Sequence, residues 1–150
     1  MEKIKIVPAK AHEAQMNDED IRHELDEIQT FFDTRSFSFQ DGTINFVIIR
    51  GLYSHIERAM TVVGVFVNTT GKTICGLKAT LQFQSRTQTD ARFGEIALEL
   101  PRSFLGEIKQ NEGFILHLKV PVQGLNAKKE KYEAPELAGA VKDVEVAFPT

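Results

Sequence analysis

The sequence predicts a mainly β protein, an antiparallel β-sandwich with an N-terminal α-helix. Six or seven short segments alternate apolar and polar residues, and turn signals separate them at the spacing of about 8–12 residues that is typical of sandwiches. One stretch near the start of the chain instead repeats its apolar residues at the helical period. Strands do not alternate with helices, which argues against a parallel α/β sheet and leaves a partly open barrel as the main alternative.

Length and charge limit the organisation and the partners of the chain. Its 150 residues suit one domain, which we divide into an N-terminal arm and helix (1–35) and a β-sandwich (36–150). The net charge of -3 does not provide the basic surface that nucleic-acid binding requires. No apolar run reaches the length of a signal peptide or a membrane span. We therefore predict a cytoplasmic protein without membrane insertion, with surface association as the alternative if a leader has been removed.

An apolar stripe in the arm predicts the helix. Its members recur at i, i+4, i+7 and i+11, and they are Ile21, Leu25, Ile28 and Phe32. This spacing places them on one face of a helix over 18–32, with Asn17 or Asp18 as its N-cap. A helix of this length needs packing to be stable, so the stripe must cover this sandwich, a second copy of it in a homodimer, or a different protein. The four stripe residues are therefore the candidate partner-binding residues.

The remaining elements are predicted as strands. Asp41-Gly42 has the composition of a two-residue hairpin turn, and the alternating segments 36–40 and 43–50 flank it. Segment 61–68 is apolar at both parities, which is typical of a central strand covered on two faces. The other predicted strands are a short stretch around Ile4 and Ile6 and the ranges 73–84, 91–100, 114–120 and 141–148.

Further expectations concern side-chain direction, strand ends and turns. Val65 and Leu81 should face the same interior between the two sheets. Proline lacks an N–H donor, so Pro101 and Pro121 should end their strands. Asn68-Thr69-Thr70 matches a glycosylation tripeptide, but we interpret it as a turn. A helical turn is expected near 135–140, and the inward residues of the strand after it should be Val144, Val146 and Phe148.

The residues that could carry chemistry do not form a recognisable catalytic or metal-binding pattern. His23-Glu24 begins like a zinc-protease helix, but no second histidine follows one turn later. His55 and His117 are expected at the surface. Cys75, the single cysteine, cannot form an intramolecular disulfide or a Cys-based zinc site, and we expect it to be buried. The sequence contains neither a Gly-x-Ser-x-Gly motif nor a glycine-rich phosphate loop, so we predict no cofactor, no metal site and no enzymatic activity.

Two strand-and-turn patterns resemble a known bacterial family. Residues 63–68 followed by Gly71-Lys72-Thr73-Ile74 are similar to its strand, Asn turn and second strand, and Leu105-Gly106-Glu107-Ile108 before Phe114-Ile115-Leu116 is similar to its Leu-Gly-x-Ile loop and closing strand. On these patterns residues 40–122 resemble the SLAP domains of Firmicute bacteria, which are associated with S-layer assembly and accessory secretion. The resemblance implies an Ig-like fold and transfers no catalytic residues. The chain departs from the family pattern at Lys109 and Gln110, where prolines are usual, and it has no Trp.

These observations favour a non-catalytic protein-binding or assembly module. The resemblance adds the expectation of a bacterial secretion or cell-envelope (S-layer assembly) context. One alternative is a small-ligand-binding domain or an enzyme with a pocket between the sheet and the N-terminal helix. A structural subunit of a homo-oligomer is a third.

Overall fold

The structure is a computed structural model that describes residues 3–126 and 128–149, so positions 1, 2, 127 and 150 of the predicted ranges lie outside it. Its helices are α1 (Glu19–Asp33) and α2 (Arg102–Leu105), with 3-10 helices at Lys10–Asn17 and Ala134–Glu136. Its strands are β1 (Lys5–Ile6), β2 (Ile44–Ser54), β3 (Ala59–Asn68), β4 (Gly76–Ser85), β5 (Arg92–Phe93), β6 (Ile96–Leu100), β7 (Glu112–Gln123), β8 (Lys131–Glu133) and β9 (Leu137–Ala147).

The described strands form two sheets that pack face to face, which confirms the predicted β-sandwich with an N-terminal helix. The larger sheet has the order β1-β7-β3-β2-β8, and β5 also pairs with β7. The smaller sheet has the order β6-β4-β9. The described strand pairs are antiparallel except for β1, which joins the edge of β7 in parallel.

Apolar side chains fill both faces of β3, as its two-sided pattern predicts. The core between the sheets includes large buried side chains from both of them, among them Met60, Phe66, Leu77, Leu81, Phe114 and Tyr132. A second cluster lies on the opposite face of the larger sheet and consists of Ile6, Ile28, Phe32, Ile49, Val63, Val65 and Val67. The larger sheet is therefore the middle layer, between the smaller sheet and α1.

The predicted direction of Val65 is wrong. Leu81 faces the interior between the sheets, but Val65 belongs to the cluster under α1. On β3 the residues that face the smaller sheet have the opposite parity, with Phe66 packed against Phe46 and Phe114. Both parities of β3 are apolar, so the strand pattern does not specify which face receives the helix.

Helix α1 forms where the stripe predicts it and packs on its own larger sheet. Asp18 caps it, because its Oδ1 accepts from the backbone N–H groups of Asp20 (2.8 Å) and Ile21 (3.4 Å). Ile28 is fully buried and Phe32 is 6% exposed in the cluster under the helix. The arm thus packs as a part of the sandwich unit.

Gln29 connects α1 to β1. Its side-chain Oε1 accepts from the backbone N–H of Ile6 (2.7 Å), and its Nε2 donates to the carbonyl of Ile4 (2.8 Å). An amide side chain can bond both groups because it carries a donor and an acceptor. The edge of β1 that does not face β7 is therefore held by the helix.

The predicted strand over 36–40 is wrong, although the turn after it is present. Gly42 has a positive φ of 84° and its N–H donates to the carbonyl of Thr69 (2.8 Å). Residues 36–40 belong to no helix or strand and make no ladder with β2. Instead, Phe37 packs against Phe32 of α1, with ring centroids 4.9 Å apart. This packing holds the segment above the sheet face and out of the plane of β2.

Several strand limits also differ from the predictions. Strand β7 continues through Pro121 to Gln123. The N–H of the neighbouring Val122 donates to the carbonyl of Arg58 in the β2–β3 hairpin (3.0 Å), so no donor is needed at the proline. Strand β9 starts at Leu137, earlier than predicted, and the helical turn before it spans Ala134–Glu136. Phe148 is 43% exposed and does not point inward.

Candidate functional site

A groove of about 920 Å³ opens beside the C-terminal end of α1. The first described residues, the end of α1, the extended segment after it and two loops form its walls. We call it the aromatic groove, and it is lined by Lys3, Ile4, Phe32, Asp33, residues 35–39, Asp41, Thr69, Gln110 and Asn111.

A row of phenylalanine rings forms the apolar part of the aromatic groove. The centroid of Phe32 lies 4.9 Å from that of Phe37, and Phe37 is stacked on Phe39 at 5.4 Å with an interplanar angle of 5°. Two side chains at i and i+2 lie on the same side only when the backbone between them is extended. Phe32 is buried, whereas Phe37 and Phe39 are half-buried and keep part of their surface open to the groove.

The backbone of the extended segment has unused hydrogen-bonding groups. The N–H groups and carbonyls of residues 36–39 have no hydrogen-bond partner among the described residues. Gln40 differs, because the side chain of Asn45 bonds both its N–H (3.1 Å) and its carbonyl (3.0 Å). Extended backbone with free donors and acceptors is what the edge of a sheet presents to an added strand.

Two unpaired charges of opposite sign lie at the ends of this segment. The guanidinium of Arg35 lies 4.1 Å above the ring of Phe31 and forms no ion pair with a described residue. Asp41 likewise has no ion-pair partner in the described part of the chain. The other charges in the groove are paired with each other, since Lys3 Nζ lies 3.5 Å from Asp33 Oδ1.

The loop wall of the groove is fixed by a buried asparagine. Asn68 is fully buried, and its Nδ2 donates to the carbonyls of Lys72 (2.8 Å) and Ile108 (3.0 Å). Its Oδ1 accepts from the N–H (3.0 Å) and the hydroxyl (2.7 Å) of Thr70. The N–H of Asn111 donates to the carbonyl of Asn68 (2.8 Å), which joins the two loops. The turn predicted at Asn68-Thr69-Thr70 is confirmed.

The four candidate partner-binding residues do not form one open surface. Ile28 and Phe32 are buried against the sheet, and Leu25 and Ile21 are half-buried. Phe32 is the member that reaches the aromatic groove. In this conformation the stripe covers the protein's own sheet, and only its edges are open to another molecule.

A smaller recess lies between α1 and the larger sheet, where the small-ligand alternative places a pocket. Its volume is about 100 Å³, and its lining includes His12, Met16, Glu24, Ile115 and His117.

An ion pair closes this recess and connects α1 to β7. His117 is exposed, as predicted, and its Nε2 lies 2.9 Å from Glu24 Oε1 of the helix. The hydrogen bond from Glu24 raises the pKa of His117, against partial burial and the nearby charge of Arg50, which both lower it. The same bond lowers the pKa of the Glu24 carboxyl. On the next turn of α1, Glu27 pairs with Arg50 at 2.8 Å.

We expect the free energy of unfolding to fall as the pH rises from about 5.5 to about 8.5. A raised histidine pKa contributes stability that is complete below its ordinary value of about 6.5 and is lost as the pH rises through the raised value. A lowered glutamate pKa contributes stability above about 4.3 that is lost as the pH falls through the lowered value. Because the pair is half-exposed, we expect an effect below about 1 kcal/mol.

Urea unfolding at the two pH values measures this effect. His117→Gln should remove part of the decrease, because a glutamine carries no titrating charge toward Glu24. His23→Gln, on the exposed side of α1, is the matched control and should behave as the wild type. An equal decrease in the wild type and in His117→Gln would contradict the assignment.

Other residues singled out by the sequence occupy structural positions. Cys75 is buried, as predicted. His55 is half-buried rather than exposed, and its Nε2 is buried without a partner among the described residues. The described residues contain no group of three or more His, Cys, Asp or Glu side chains placed to hold a metal ion. In that part of the chain, no helix combines the length and apolar character that crossing a membrane requires.

Comparison of the chain with protein-family models, with curated proteins and with solved structures finds no match. The geometry of the aromatic groove is therefore the main guide to function. Sequence reasoning missed this groove, because it assigned Phe37 and Phe39 to a paired strand. The signal it contained was the alternation of two serines with these two phenylalanines directly after the helix stripe.

Proposed function

We propose that this protein is a non-catalytic protein-binding or assembly module that holds its partner in the aromatic groove. The observation that carries the proposal is the run of unbonded backbone groups at residues 36–39 beside the partly open rings of Phe37 and Phe39. Backbone groups of this kind bind other backbones without regard to their sequence, and aromatic rings add apolar contact area.

The construction of the groove supports binding of a protein segment. Phe37 is held by Phe32 of α1, and the loop wall is held by Asn68. Binding costs less conformational entropy when the binding surface is already ordered. The groove is also open, and five consecutive residues, 35–39, line it, which suits an extended partner.

The cell-envelope or secretion context is part of the proposal only through the resemblance of residues 40–122 to SLAP domains. The groove is lined by Arg35 to Phe39, which precede that range, and by Asp41, which lies inside it. The context and the binding surface are therefore separate parts of the proposal.

The small-ligand or enzyme alternative has less support. The recess between α1 and the sheet has about 100 Å³, whereas pockets for small molecules usually have about 300–1,000 Å³. Its ionisable pair, Glu24 and His117, holds the helix on the sheet and accounts for both pKa shifts.

A photo-crosslinking experiment tests the proposed function. A photoreactive phenylalanine analogue replaces Ser38, which is exposed at the groove, and the protein is irradiated in a lysate of the native organism. The matched control carries the same analogue at Ala97, which is exposed on the outer face of β6. We expect discrete crosslinked products from position 38 and not from position 97. Equal crosslinking from both positions, or none from position 38, would contradict the proposal.

A further inference from the structure

The residues from Arg35 to Asp41 form a sequence that is complementary to itself in the antiparallel direction. When two copies are paired about Ser38, Arg35 lies opposite Asp41, and Phe37 lies opposite Phe39. Both charged residues lack ion-pair partners among the described residues of their own chain. Pairing two copies would therefore form two new ion pairs without breaking one.

We propose that a second copy of this chain occupies the aromatic groove, with the two segments Arg35–Asp41 paired as antiparallel strands about a two-fold axis. This inference rests on the proposed function and names the partner. A two-fold axis places the same surface on both subunits, which is why self-complementary charge is needed.

The bonding of Gln40 determines which backbone edge is open. In an extended chain, the N–H and C=O groups of alternate residues point to the same side. Those of Gln40 point to Asn45 of β2, so those of Ser36 and Ser38 point to that side as well. The groups of Phe37 and Phe39 then point to the opposite side, away from β2.

This direction agrees with the two-fold pairing. In a pairing about Ser38, the backbones of Phe37 of one copy and Phe39 of the other form two hydrogen bonds with each other. The two-fold axis generates the same two bonds between Phe39 of the first copy and Phe37 of the second. The four bonds need the N–H and carbonyl groups of these two residues, and all of them are free among the described residues. In the other antiparallel alignment about Ser38, the hydrogen-bonded pairs would join Ser36 to Gln40. That alignment would need the backbone of Gln40, which Asn45 already bonds.

The rings and the charges support the same register. Phe37 and Phe39 are stacked within one chain, so a second copy would extend the row to four rings on one face of the new ribbon. To reach the carboxylate of the second copy's Asp41, Arg35 would give up only its contact with the ring of Phe31. In a parallel alignment like charges would meet, because Arg35 would approach Arg35 and Asp41 would approach Asp41.

The expected dimer is weak and depends on salt. The paired segment has seven residues, so it buries less area than the standard interface of about 1,600 Å². Ion pairs at the ends of an exposed ribbon are screened by salt. We therefore expect a concentration-dependent equilibrium between monomer and dimer that shifts toward monomer as salt is added.

Sedimentation equilibrium with a charge-swap series tests the register. R35D makes both ends of the segment acidic, and D41R makes both ends basic. In a dimer of either variant, like charges then meet at both ends. Each variant alone should therefore dimerise at least about tenfold more weakly than the wild type. An equimolar mixture of R35D and D41R should recover dimerisation, because the acidic ends of one meet the basic ends of the other. The double variant R35D/D41R should also recover it. Both positions are exposed, so we expect every variant to fold, and circular dichroism of each one checks this.

The outcomes separate this inference from the proposed function. Recovery in the mixture and in the double variant supports the self-pairing. A wild type that stays monomeric at millimolar concentration, or single variants that dimerise as the wild type does, would overturn it. If position 38 crosslinks to a different protein in lysate while the wild type stays monomeric, the binding function holds and a second copy of the chain is the wrong partner.

Discussion

Replacing Leu81 by aspartate is expected to prevent the protein from folding to a soluble form. Leu81 is fully buried in the core between the two sheets, and no cation is available there to pair with a carboxylate among the described core residues. An unpaired buried carboxylate costs several kcal/mol, against a total stability of about 5–15 kcal/mol for a domain of this size. Soluble yield and the urea midpoint of any soluble fraction measure the effect.

Gln84→Asp is the matched control for this substitution. Gln84 lies on the same strand, β4, but on its exposed face, and the same side chain is introduced. We expect a change of less than about 0.5 kcal/mol, as for most surface substitutions. Similar yields and midpoints for the two variants would contradict the placement of Leu81 in the core, and the reverse order would mean that β4 has the opposite parity.

Replacing Asn68 by aspartate is expected to lower the free energy of unfolding by about 3 kcal/mol or more. The substitution changes no volume, but it turns a donor of two hydrogen bonds into a negatively charged acceptor. That oxygen would face the carbonyls of Lys72 and Ile108 at 2.8 and 3.0 Å, in a fully buried position. Urea denaturation at neutral pH measures the loss.

Asn126→Asp controls for the chemical change itself. Asn126 is exposed, and its Oδ1 accepts from the backbone N–H of Lys128 (2.9 Å), a role that a carboxylate keeps. This variant should be close to the wild type. Equal losses at the two positions would show that the contacts of the Asn68 amide do not hold the loops together.

The elements that the sequence predicts correctly are those in which a residue's neighbours in the chain determine its environment. The stripe from Ile21 to Phe32 requires a covered helix face, and Asp18 provides the cap next to it. Leu77 and Leu81 alternate with polar residues because one face of β4 is buried and the other is exposed. These patterns are local, so the helix, the strands and the sandwich follow from them.

The features that the sequence does not predict depend on contacts between different elements of the fold. Phe37 and Phe39 have the alternation of a strand, but their packing on Phe32 decides that they line a groove instead. The opposite wall comes from Thr69 and from Gln110, whose side-chain Oε1 accepts from the N–H of Gly71 (2.6 Å). No periodic pattern records such contacts.

Very short strands are another limit. Strand β8 has three residues, and only its central Tyr132 is buried. Its pairing with β2 is a tertiary contact, since Tyr132 lies opposite Gly51 and its hydroxyl accepts from Gln88 Nε2 (3.0 Å). Three residues are too few for a period-2 pattern to be distinguished from a loop.

The parallel pairing of β1 with β7 has a consequence for the order in which the protein can be completed during synthesis. Lys5 and Ile6 lie opposite Glu112 and Gly113, so roughly 100 residues must be translated after β1 before its partner exists, about 5–20 s at 5–20 residues per second. Until then Ile28 and Phe32 have no completed sheet to cover. The apolar residues of the arm thus stay uncovered for seconds on the ribosome, and we expect chaperones that recognise apolar segments to bind the nascent chain there.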